Sequence, residues 1–333
     1  MRVMVTGANG FVGRALVRRL LETGQLRGQT ISAVLALDME LQGLPEDPRL
    51  RRHRASVTDA AALRRALADG VDVVFHLVSI PGGAAEERYT LGYQVNLQAS
   101  LELLDQLRGL ARRPLLVYAS SVAVYGSELP ARMSESAVPS PVLSYAAHKR
   151  MVELALVDLT RRGEIDGRAV RLPGIVARPR EPNGLRSAFM SDLMQAFAAG
   201  QAYSCPVSAQ AQAWWMSLAC CVDNLLHAAE LDSVAPGAPR IWQLPLLRLS
   251  IAQVIDALAT AYGQERRALI EFAPEPALEA LFGRYPPMST PQSRALGFRH
   301  DGSAAALIRN ALGPSPTARS ARVRNQSAGV TTP

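Results

Sequence analysis

The sequence predicts an α/β fold, in which a doubly wound parallel sheet is followed by a smaller C-terminal α/β lobe. Short apolar runs alternate with amphipathic helical stretches up to about residue 175, and this alternation is typical of parallel sheets that carry helices on both faces. Beyond that residue the alternation fades and the elements become shorter. We therefore expect a sheet domain at residues 1–175, to which parts of 205–245 return, a lobe at 176–312 and a disordered tail at 313–333.

The composition fits a cytoplasmic protein with a large buried core. Hydrophobic residues make up 48% of the 333 residues, yet no window approaches the ~18 uninterrupted apolar residues of a membrane span. The net charge of +7 comes from scattered arginines rather than from a basic stripe interleaved with aromatics, which argues against nucleic-acid binding. Cys205, Cys220 and Cys221 are odd in number and form no paired Cys-x-x-Cys, so we expect neither disulfides nor a metal site.

The first strand leads directly into a glycine-rich turn. The apolar run at residues 3–5 precedes Gly7, Gly10 and Gly13, and a helical stripe of apolar residues follows. Glycines let the backbone turn tightly and approach a pyrophosphate, whose charge is stabilised at a helix N-terminus. The spacing is Gly-x-x-Gly-x-x-Gly rather than the commoner Gly-x-Gly-x-x-Gly, so a glycine turn without a ligand is the alternative interpretation.

The second long strand pattern ends in an acid. Residues 31–37 are apolar apart from Ser32, and Asp38 follows them. An acid at this point of a βαβ unit can accept hydrogen bonds from both hydroxyls of an adenosine ribose, and its charge would repel a 2′-phosphate. Because no arginine follows directly at residues 39–41, the sequence favours NAD over NADP. His76 lies inside the apolar run at 71–78, so we predict a packed core histidine there.

Tyr145 and Lys149 begin a stretch with helical apolar spacing. They are four residues apart, so a helix would place the phenol and the ammonium on one face. Tyrosine titrates near pH ~10, and lowering this pKa by ~3 units needs roughly 4 kcal/mol, which the lysine and a cofactor cation could supply together. The pair therefore predicts a general base for an alcohol proton. Chance occurrence on an exposed helix is the alternative.

Taken in order, the glycine turn, Asp38, Asn96, Ser121, Tyr145 and Lys149 resemble the extended short-chain dehydrogenase/reductase family. The resemblance extends to about Leu312. It implies a Rossmann domain that binds NAD, a small substrate lobe, and a catalytic set of Ser121, Tyr145 and Lys149. The residues that the resemblance implies around the cofactor are Gly7, Asn9, Gly10, Phe11, Val12, Asp38, Ser56, Val57, Leu77, Val78, Ser79, Asn96, Ala119, Tyr145, Lys149, Pro173 and Ile175.

Within that family the chain is most similar to the D-erythronate dehydrogenases, which oxidise the C2 hydroxyl of a four-carbon sugar acid. The similar stretches are residues 120–126, 166–173, 178–183 and 205–207. The resemblance implies NAD-dependent oxidation of a small sugar acid, whose carboxylate needs a cation or several hydrogen-bond donors. The candidate substrate residues are Ser79, Ser121, Arg178, Asn183 and Arg186.

Three other functions remain open at this point. A nucleotide-sugar epimerase or dehydratase of the same superfamily would use the same base and NAD. A biosynthetic ketone or aldehyde reductase would need an apolar pocket, for which Met190, Trp214, Trp215 and Met216 are candidates. A non-catalytic protein that only binds NAD would need no reacting groups. The family often forms homodimers through two helices, which here would span residues 93–110 and 145–159, and we expect a homodimer.

Overall fold

The computed structural model of the protein describes residues 1–180, 186–232 and 238–313. Its strands are β1 (Arg2–Thr6), β2 (Gln25–Leu26), β3 (Gln29–Thr30), β4 (Ala33–Asp38), β5 (Leu50–Arg54), β6 (Val73–His76), β7 (Leu115–Ser121), β8 (Met133–Ser134), β9 (Asp166–Leu172), β10 (Gly174–Val176), β11 (Tyr203–Cys205), β12 (Gln212–Ser217), β13 (Ile241–Gln243), β14 (Leu247–Ser250), β15 (Ile270–Phe272) and β16 (Met288–Ser289). Its α-helices are α1 (Phe11–Thr23), α2 (Ala60–Leu67), α3 (Gly82–Glu87), α4 (Tyr89–Gly92), α5 (Ala99–Arg108), α6 (Ser144–Arg161), α7 (Phe189–Ala199), α8 (Leu218–Glu230), α9 (Ile251–Tyr262), α10 (Pro276–Phe282), α11 (Pro291–Ala295) and α12 (Ala304–Leu312).

Within the described residues, seven strands form one parallel sheet in the order β13-β9-β7-β6-β1-β4-β5. The chain leaves β1 through β4 and β5 on one side and returns through β6, β7, β9 and β13 on the other. The predicted doubly wound Rossmann sheet is therefore confirmed. Successive strands are added on one side of β1 up to β5 and on the other side from β6 onward, so the strand order reverses between β1 and β6. Ligands of such sheets bind at the carboxyl ends of the strands beside this point.

At the two edges of the sheet, β5 departs from the sequence pattern, whereas β13 belongs to the 205–245 segment of which parts were expected to return to the sheet domain. β5 was not predicted, because only Leu50 of its five residues is buried and the rest of this edge strand is polar. β13 pairs with β9, with Ile241 opposite Ala169, so this late segment lies at the other edge of the main sheet. An edge strand needs few apolar residues, since one of its sides has no neighbouring strand.

The helix predicted at residues 93–110 is divided in the structure. Tyr93–Gln98 forms a π-helical segment, and α5 follows it to Arg108. The helix predicted to carry Tyr145 is confirmed as α6, which has eighteen residues. π-Helical segments often occur at functional sites, where they change the direction of a side chain, and this one carries Asn96.

A smaller α/β layer begins at the carboxyl end of β9. β10, β12 and β14 make a three-stranded sheet, and helices α7, α9 and α12 contribute to a separate hydrophobic cluster with Trp215 and Met190. The cysteines are buried and free. Within the described ranges, no helix is long and apolar enough to cross a membrane, and no group of His, Cys, Asp or Glu residues could hold a metal ion. The predicted tail at 313–333 lies outside these ranges from residue 314 onward.

Candidate active site

The turn after β1 leaves no room for side chains at two of its glycines. Gly7 has a φ of 71°, and a Cβ there would lie 2.7 Å from the backbone nitrogen of Val78. A Cβ on Gly13 would collide with the carbonyl oxygen of Gly7. Helix α1 therefore begins close to the sheet, with Gly10 as its N-cap and no capping side chain among the described residues. The backbone N–H groups of this first turn suit an anion such as a pyrophosphate.

Asp38 is held at the mouth of this turn by backbone donors. Its Oδ2 accepts a hydrogen bond from the N–H of Asn9 at 2.9 Å, and its Oδ1 accepts one from Met39 at 2.7 Å. Each carboxylate oxygen keeps acceptor capacity for a ribose hydroxyl. The N–H of Ala55 donates to the carbonyl oxygen of Asp38 at 3.0 Å, so the predicted residues Ser56 and Val57 follow directly at the same end of the sheet.

Asn96 supports the loop after β6 rather than presenting its side chain. Its Oδ1 accepts from the N–H of Ile80 at 2.7 Å, and its Nδ2 donates to the carbonyl oxygen of Ile80 at 3.0 Å. The amide is buried, and both of its polar atoms bond to the backbone of this one residue. Asn96 thereby fixes the loop that contains Leu77, Val78 and Ser79, and its predicted contact with the cofactor stays a prediction.

The hydroxyl of Tyr145 lies among the groups predicted to surround it. Burial raises its pKa above the usual value, while hydrogen bonding to Ser121 and Ser79 and the charge on Arg178 lower it. The sequence predicted a lowered pKa, and in the protein by itself the direction is opposite because desolvation of the phenolate outweighs the favourable contacts. Ser121 also accepts a hydrogen bond from the N–H of Ala123 at 3.1 Å, which fixes its side chain at the end of β7.

Lys149 is one turn from Tyr145 on α6 and is buried. Its Nζ donates to the carbonyl oxygen of Ala119 at 2.7 Å and lies 5.7 Å from the centre of the Tyr145 ring. Burial lowers the pKa of Lys149 to about 7, and the nearby Glu153 opposes this effect. The predicted pairing of the two side chains on one helix face is therefore present, with the predicted strand residue Ala119 as the acceptor for the ammonium.

The residue type at position 149 carries a signal that the sequence analysis missed. Lys149 is the single lysine of the chain, and all other basic residues among its 36 lysines and arginines are arginine. An ammonium is compact and can lose its proton, whereas a guanidinium is large and stays charged. The chain therefore places its single side-chain amine on the same helix face as Tyr145.

Arg178 reaches the same site from the segment after β10. Its Cζ lies 4.6 Å from the centre of the Phe11 ring, at the first residue of α1. Its Nε is buried and has no hydrogen-bond partner among the described residues. Burial lowers the pKa of this guanidinium, and its charge acts on Tyr145. A cation thus lies between the glycine turn and the Tyr145 hydroxyl with donors available.

The other predicted residues lie at different places. Leu172 is opposite Ser121 in the sheet, so Pro173 follows directly at the same edge, and Ile175 pairs with Met216 in the smaller sheet. Arg186 is exposed in the short turn before α7, and no contact in the described part of the chain joins it to Tyr145. Asn183 lies outside the described residues.

His76 is confirmed as a core residue, with ring nitrogens 2.7 Å from Thr6 Oγ1 and 2.9 Å from Ser100 Oγ.

A buried ionic network behind the site was not predicted. The carboxylate of Glu153, on α6, accepts hydrogen bonds from Ser120 Oγ at 2.6 Å and from Arg171 at 2.9 and 2.8 Å. Arg171 also donates to the hydroxyl of Tyr125 at 3.0 Å. These partners come from β7, β9 and the turn after β7, and they meet only when the sheet has formed. Sequence spacing alone therefore gives no signal for the network.

Comparison with known proteins gives likenesses over most of the chain. The model of the NAD dependent epimerase/dehydratase family matches residues 3–218. The D-erythronate dehydrogenase of Cupriavidus necator is 36% identical over 315 residues, which cover 93% of this chain and 97% of the relative. The D-erythronate dehydrogenase of Haemophilus influenzae is 30% identical, over 90% of this chain and 95% of the relative.

A solved structure shows the same architecture. The nucleoside-diphosphate-sugar epimerase from Agrobacterium tumefaciens is similar with a TM-score of 0.85 and 30% sequence identity, over 93% of this chain and 92% of that chain. The likeness therefore extends beyond the glycine turn and α6 into the C-terminal lobe.

Proposed function

Because this chain belongs to the NAD dependent epimerase/dehydratase family, we propose that it is an NAD-dependent dehydrogenase of a small sugar acid. In this proposal it oxidises the C2 hydroxyl of D-erythronate to 2-dehydro-D-erythronate. Two relatives named D-erythronate dehydrogenase are 36% and 30% identical to this chain over at least 95% of their own length. The likeness covers the lobe as well as the sheet.

The observation that carries the substrate class is the position of Arg178. Its guanidinium lies over Phe11, its charge acts on the Tyr145 hydroxyl, and its buried Nε has no protein partner among the described residues. A buried cation with a free donor is costly unless an anion completes it. A carboxylate matches the planar fork of a guanidinium. We therefore assign Arg178 to the carboxylate of the sugar acid, next to the carbon that reacts.

The reacting groups follow from the same geometry. Tyr145 accepts the proton of the C2 hydroxyl, and Ser121 and Ser79 hold that oxygen beside it. Lys149, fixed by Ala119, places its ammonium one helical turn away and favours the phenolate. A nicotinamide bound at this site would supply the acceptor for the hydride from C2, and its positively charged ring would oppose the rise in the pKa of Tyr145. The protein supplies orientation and charge.

The residues around the glycine turn fit a dinucleotide. The first turn of α1 would hold the pyrophosphate, and Asp38 would accept from the ribose hydroxyls. We propose NAD rather than NADP, because the Asp38 carboxylate is fixed in place by Asn9 and Met39. An arginine that was not predicted from the sequence also lies nearby, because Arg54 donates to the carbonyl oxygen of Met39 at 3.1 Å. Turnover with each dinucleotide at equal concentration tests this choice.

The experiment that tests the function follows NADH absorbance with purified protein. We expect NADH to form with NAD and D-erythronate and to remain near background with erythritol, which keeps the hydroxyls but lacks the carboxylate. NADP in place of NAD should give a much lower rate. Absence of NADH with D-erythronate and with related four- to six-carbon sugar acids would reject the proposal.

A nucleotide-sugar epimerase is the second candidate, because the similar structure from Agrobacterium tumefaciens carries that name. Such an enzyme would change the configuration of a UDP- or dTDP-sugar without net NADH. Incubation with these sugars and analysis of the products therefore separates the two functions. The reductase alternative loses its predicted pocket, because its four candidate residues are buried in three different hydrophobic clusters. These residues are Met190, Trp214, Trp215 and Met216.

We also propose a cytoplasmic homodimer. Tyr89 on α4, Leu101 on α5, and Met151 and Leu154 on α6 are exposed apolar side chains. These helices pack beside one another, so their outer faces offer an apolar surface that a second copy of the chain would cover. The three free, buried cysteines suit a reducing compartment.

A further inference from the structure

The carboxylate of Glu153 is fully buried and lies one helical turn after Lys149 on α6. Its Oε1 accepts from Ser120 Oγ and from Arg171 Nε, and its Oε2 accepts from Arg171 and, at 3.0 Å, from Arg150. Breaking a buried ion pair on one side leaves an uncompensated charge. The carboxylate is therefore fixed in position by partners on α6, β7 and β9.

Lys149 has one carboxylate among the groups that act on it. Burial lowers the pKa of Lys149 to about 7, and the charge on Glu153 raises it. The other titratable groups that face the ammonium carry no opposing negative charge at neutral pH: Tyr145 on α6, Tyr118 on β7 and His76 on β6. His76 is neutral because burial lowers its pKa to about 3.

Glu153 is also connected to both ends of the turn that carries Ser121. Ser120, its hydrogen-bond partner, directly precedes Ser121 on β7. Arg171, its ionic partner, donates to Tyr125, the last residue of the 3-10 turn Val122–Tyr125 that Ser121 caps. Lys149 itself holds Ala119 on the same strand. The carboxylate of Glu153 thus connects the part of α6 that carries Lys149 to the end of β7 that carries Ser121.

We propose that Glu153 is a positioning residue, which keeps the ammonium of Lys149 charged in the buried site and fixes the strand end that carries Ser121. The proposal rests on the proposed function, because it gives Lys149 and Ser121 their roles there. It adds a residue that does not touch the substrate. Its effect reaches the reaction through the charge of Lys149 and the position of Ser121.

The direct test uses Glu153→Gln, which keeps the size of the side chain and removes its charge. Without that charge, Lys149 loses its proton at a lower pH. We expect the alkaline limb of kcat/KM for D-erythronate to move to lower pH by about one unit, which lowers the rate at pH 8 by about tenfold. An unmoved limb in a folded variant would overturn the proposal.

A second readout needs neither substrate nor cofactor. Because Lys149 is the single lysine of the chain, protein labelled with 13C-lysine gives one Cε resonance, whose shift reports its protonation. We expect its titration midpoint to fall in Glu153→Gln. The matched control is Ser120→Ala, which removes a hydrogen bond to the carboxylate but keeps the charge, and its midpoint should equal that of the wild type. A fall in Ser120→Ala as large as that in Glu153→Gln would overturn the charge role.

A double variant keeps the test valid if Glu153→Gln does not fold. Glu153→Gln with Arg171→Gln removes both buried charges together, so no unpaired guanidinium remains on β9. Arg171 is not among the groups that set the pKa of Lys149, so the midpoint of the double variant should still fall. A midpoint equal to that of the wild type would overturn the proposal. If the wild type forms no NADH with D-erythronate, the proposed function fails while the lysine titration still decides this inference.

Discussion

The ammonium of Lys149 lies 4.7 Å from the centre of the Tyr118 ring, whose buried hydroxyl has no hydrogen-bond partner within the described residues. The aromatic face and the carbonyl oxygen of Ala119 replace only part of the water that an ammonium has in solution. The site therefore holds a cation at a cost in stability. Groups that serve a reaction often have this property, since their environment is shaped for the reacting state.

The stability cost of Lys149 predicts an unusual mutant. Lys149→Met should abolish turnover and yet raise the free energy of unfolding at pH 6 by a few kcal/mol. Methionine has a side chain of similar length, so the substitution removes the buried charge and keeps most of the packing. The pKa of this lysine is about 7 in the folded protein and 10.5 as the reference value. Between pH 7 and pH 10.5 the unfolded chain therefore keeps a proton on Lys149 that the folded protein has lost. The free energy of unfolding of the wild type rises with pH in this range, and the stability advantage of Lys149→Met disappears. Urea unfolding of the wild type and the variant at pH 6 and at pH 9.5 measures the stability gain and its disappearance.

The control for this experiment is Arg150→Met, which removes the neighbouring and more exposed cation that pairs with Glu153. It should not stabilise the protein, and its effect should change little between the two pH values. If Lys149→Met is less stable than the wild type at both pH values, the ammonium is not a cost to the fold.

Tyr145→Phe is predicted to remove the base without removing the cofactor site. We expect turnover to fall by about 100- to 10,000-fold, the range typical of a lost general base, while the dissociation constant of NAD changes little. Tyr118→Phe is a matched control, because it deletes a buried hydroxyl without a described partner beside the same lysine, and we expect it to retain activity. Steady-state rates and NAD titration by fluorescence give both quantities. Equal losses in the two variants would remove Tyr145 from its role.

The sequence predicted the parts of the site that are local in the chain. The glycine turn, Asp38 and the pair of Tyr145 and Lys149 each depend on a few adjacent residues. β5 was missed because only Leu50 is buried at this edge strand. Strand patterns of this kind contain no run of apolar residues for the sequence to show.

The groups that set the charge of the site could not be predicted in the same way. Glu153 and Arg171 are 18 residues apart, and Ser120 is 33 residues from Glu153, so their contact depends on the order of strands in the sheet. Apolar spacing also cannot distinguish the π-helical segment that turns the amide of Asn96 to Ile80 from a regular helix. The raised pKa of Tyr145 likewise follows from burial, which no local pattern measures.

Arg178→Gln is predicted to affect both substrate binding and the pH profile. Loss of the guanidinium should raise KM for D-erythronate by about tenfold or more, as expected for a lost charge-assisted pair. The charge of Arg178 lowers the pKa of Tyr145, so without it the pKa rises and the acid limb of kcat should move to higher pH. Arg186→Gln, at an exposed position, serves as the control and should match the wild type. A weaker affinity for NAD with an unchanged KM would instead assign Arg178 to the cofactor.

Gly7→Ala is predicted to damage the fold and the cofactor site together. A Cβ at Gly7 would lie 2.7 Å from the nitrogen of Val78, and the alanine would have to adopt a φ of 71°. Gly28→Ala is the control, because Gly28 has a similar φ of 67° but no atom within 4 Å of the added carbon. We expect a loss of about 1 kcal/mol for the control and at least twice that for Gly7→Ala, from the added clash. Urea unfolding and NAD titration are the measurements, and equal losses would contradict the close contact with Val78.

The apolar face of α6 predicts the effect of a charge on assembly. Leu154 is 53% exposed and lies near Met151 on the outer face of this helix, where a second copy of the chain would cover it. A charge in such an interface would have to be desolvated without a partner, so Leu154→Glu should give monomers in sedimentation velocity at micromolar concentration. Val138→Glu, at an 84% exposed position outside the helices, should leave the sedimentation coefficient unchanged. A wild-type protein that sediments as a monomer would reject the dimer, and a dimeric Leu154→Glu would place the interface on another surface.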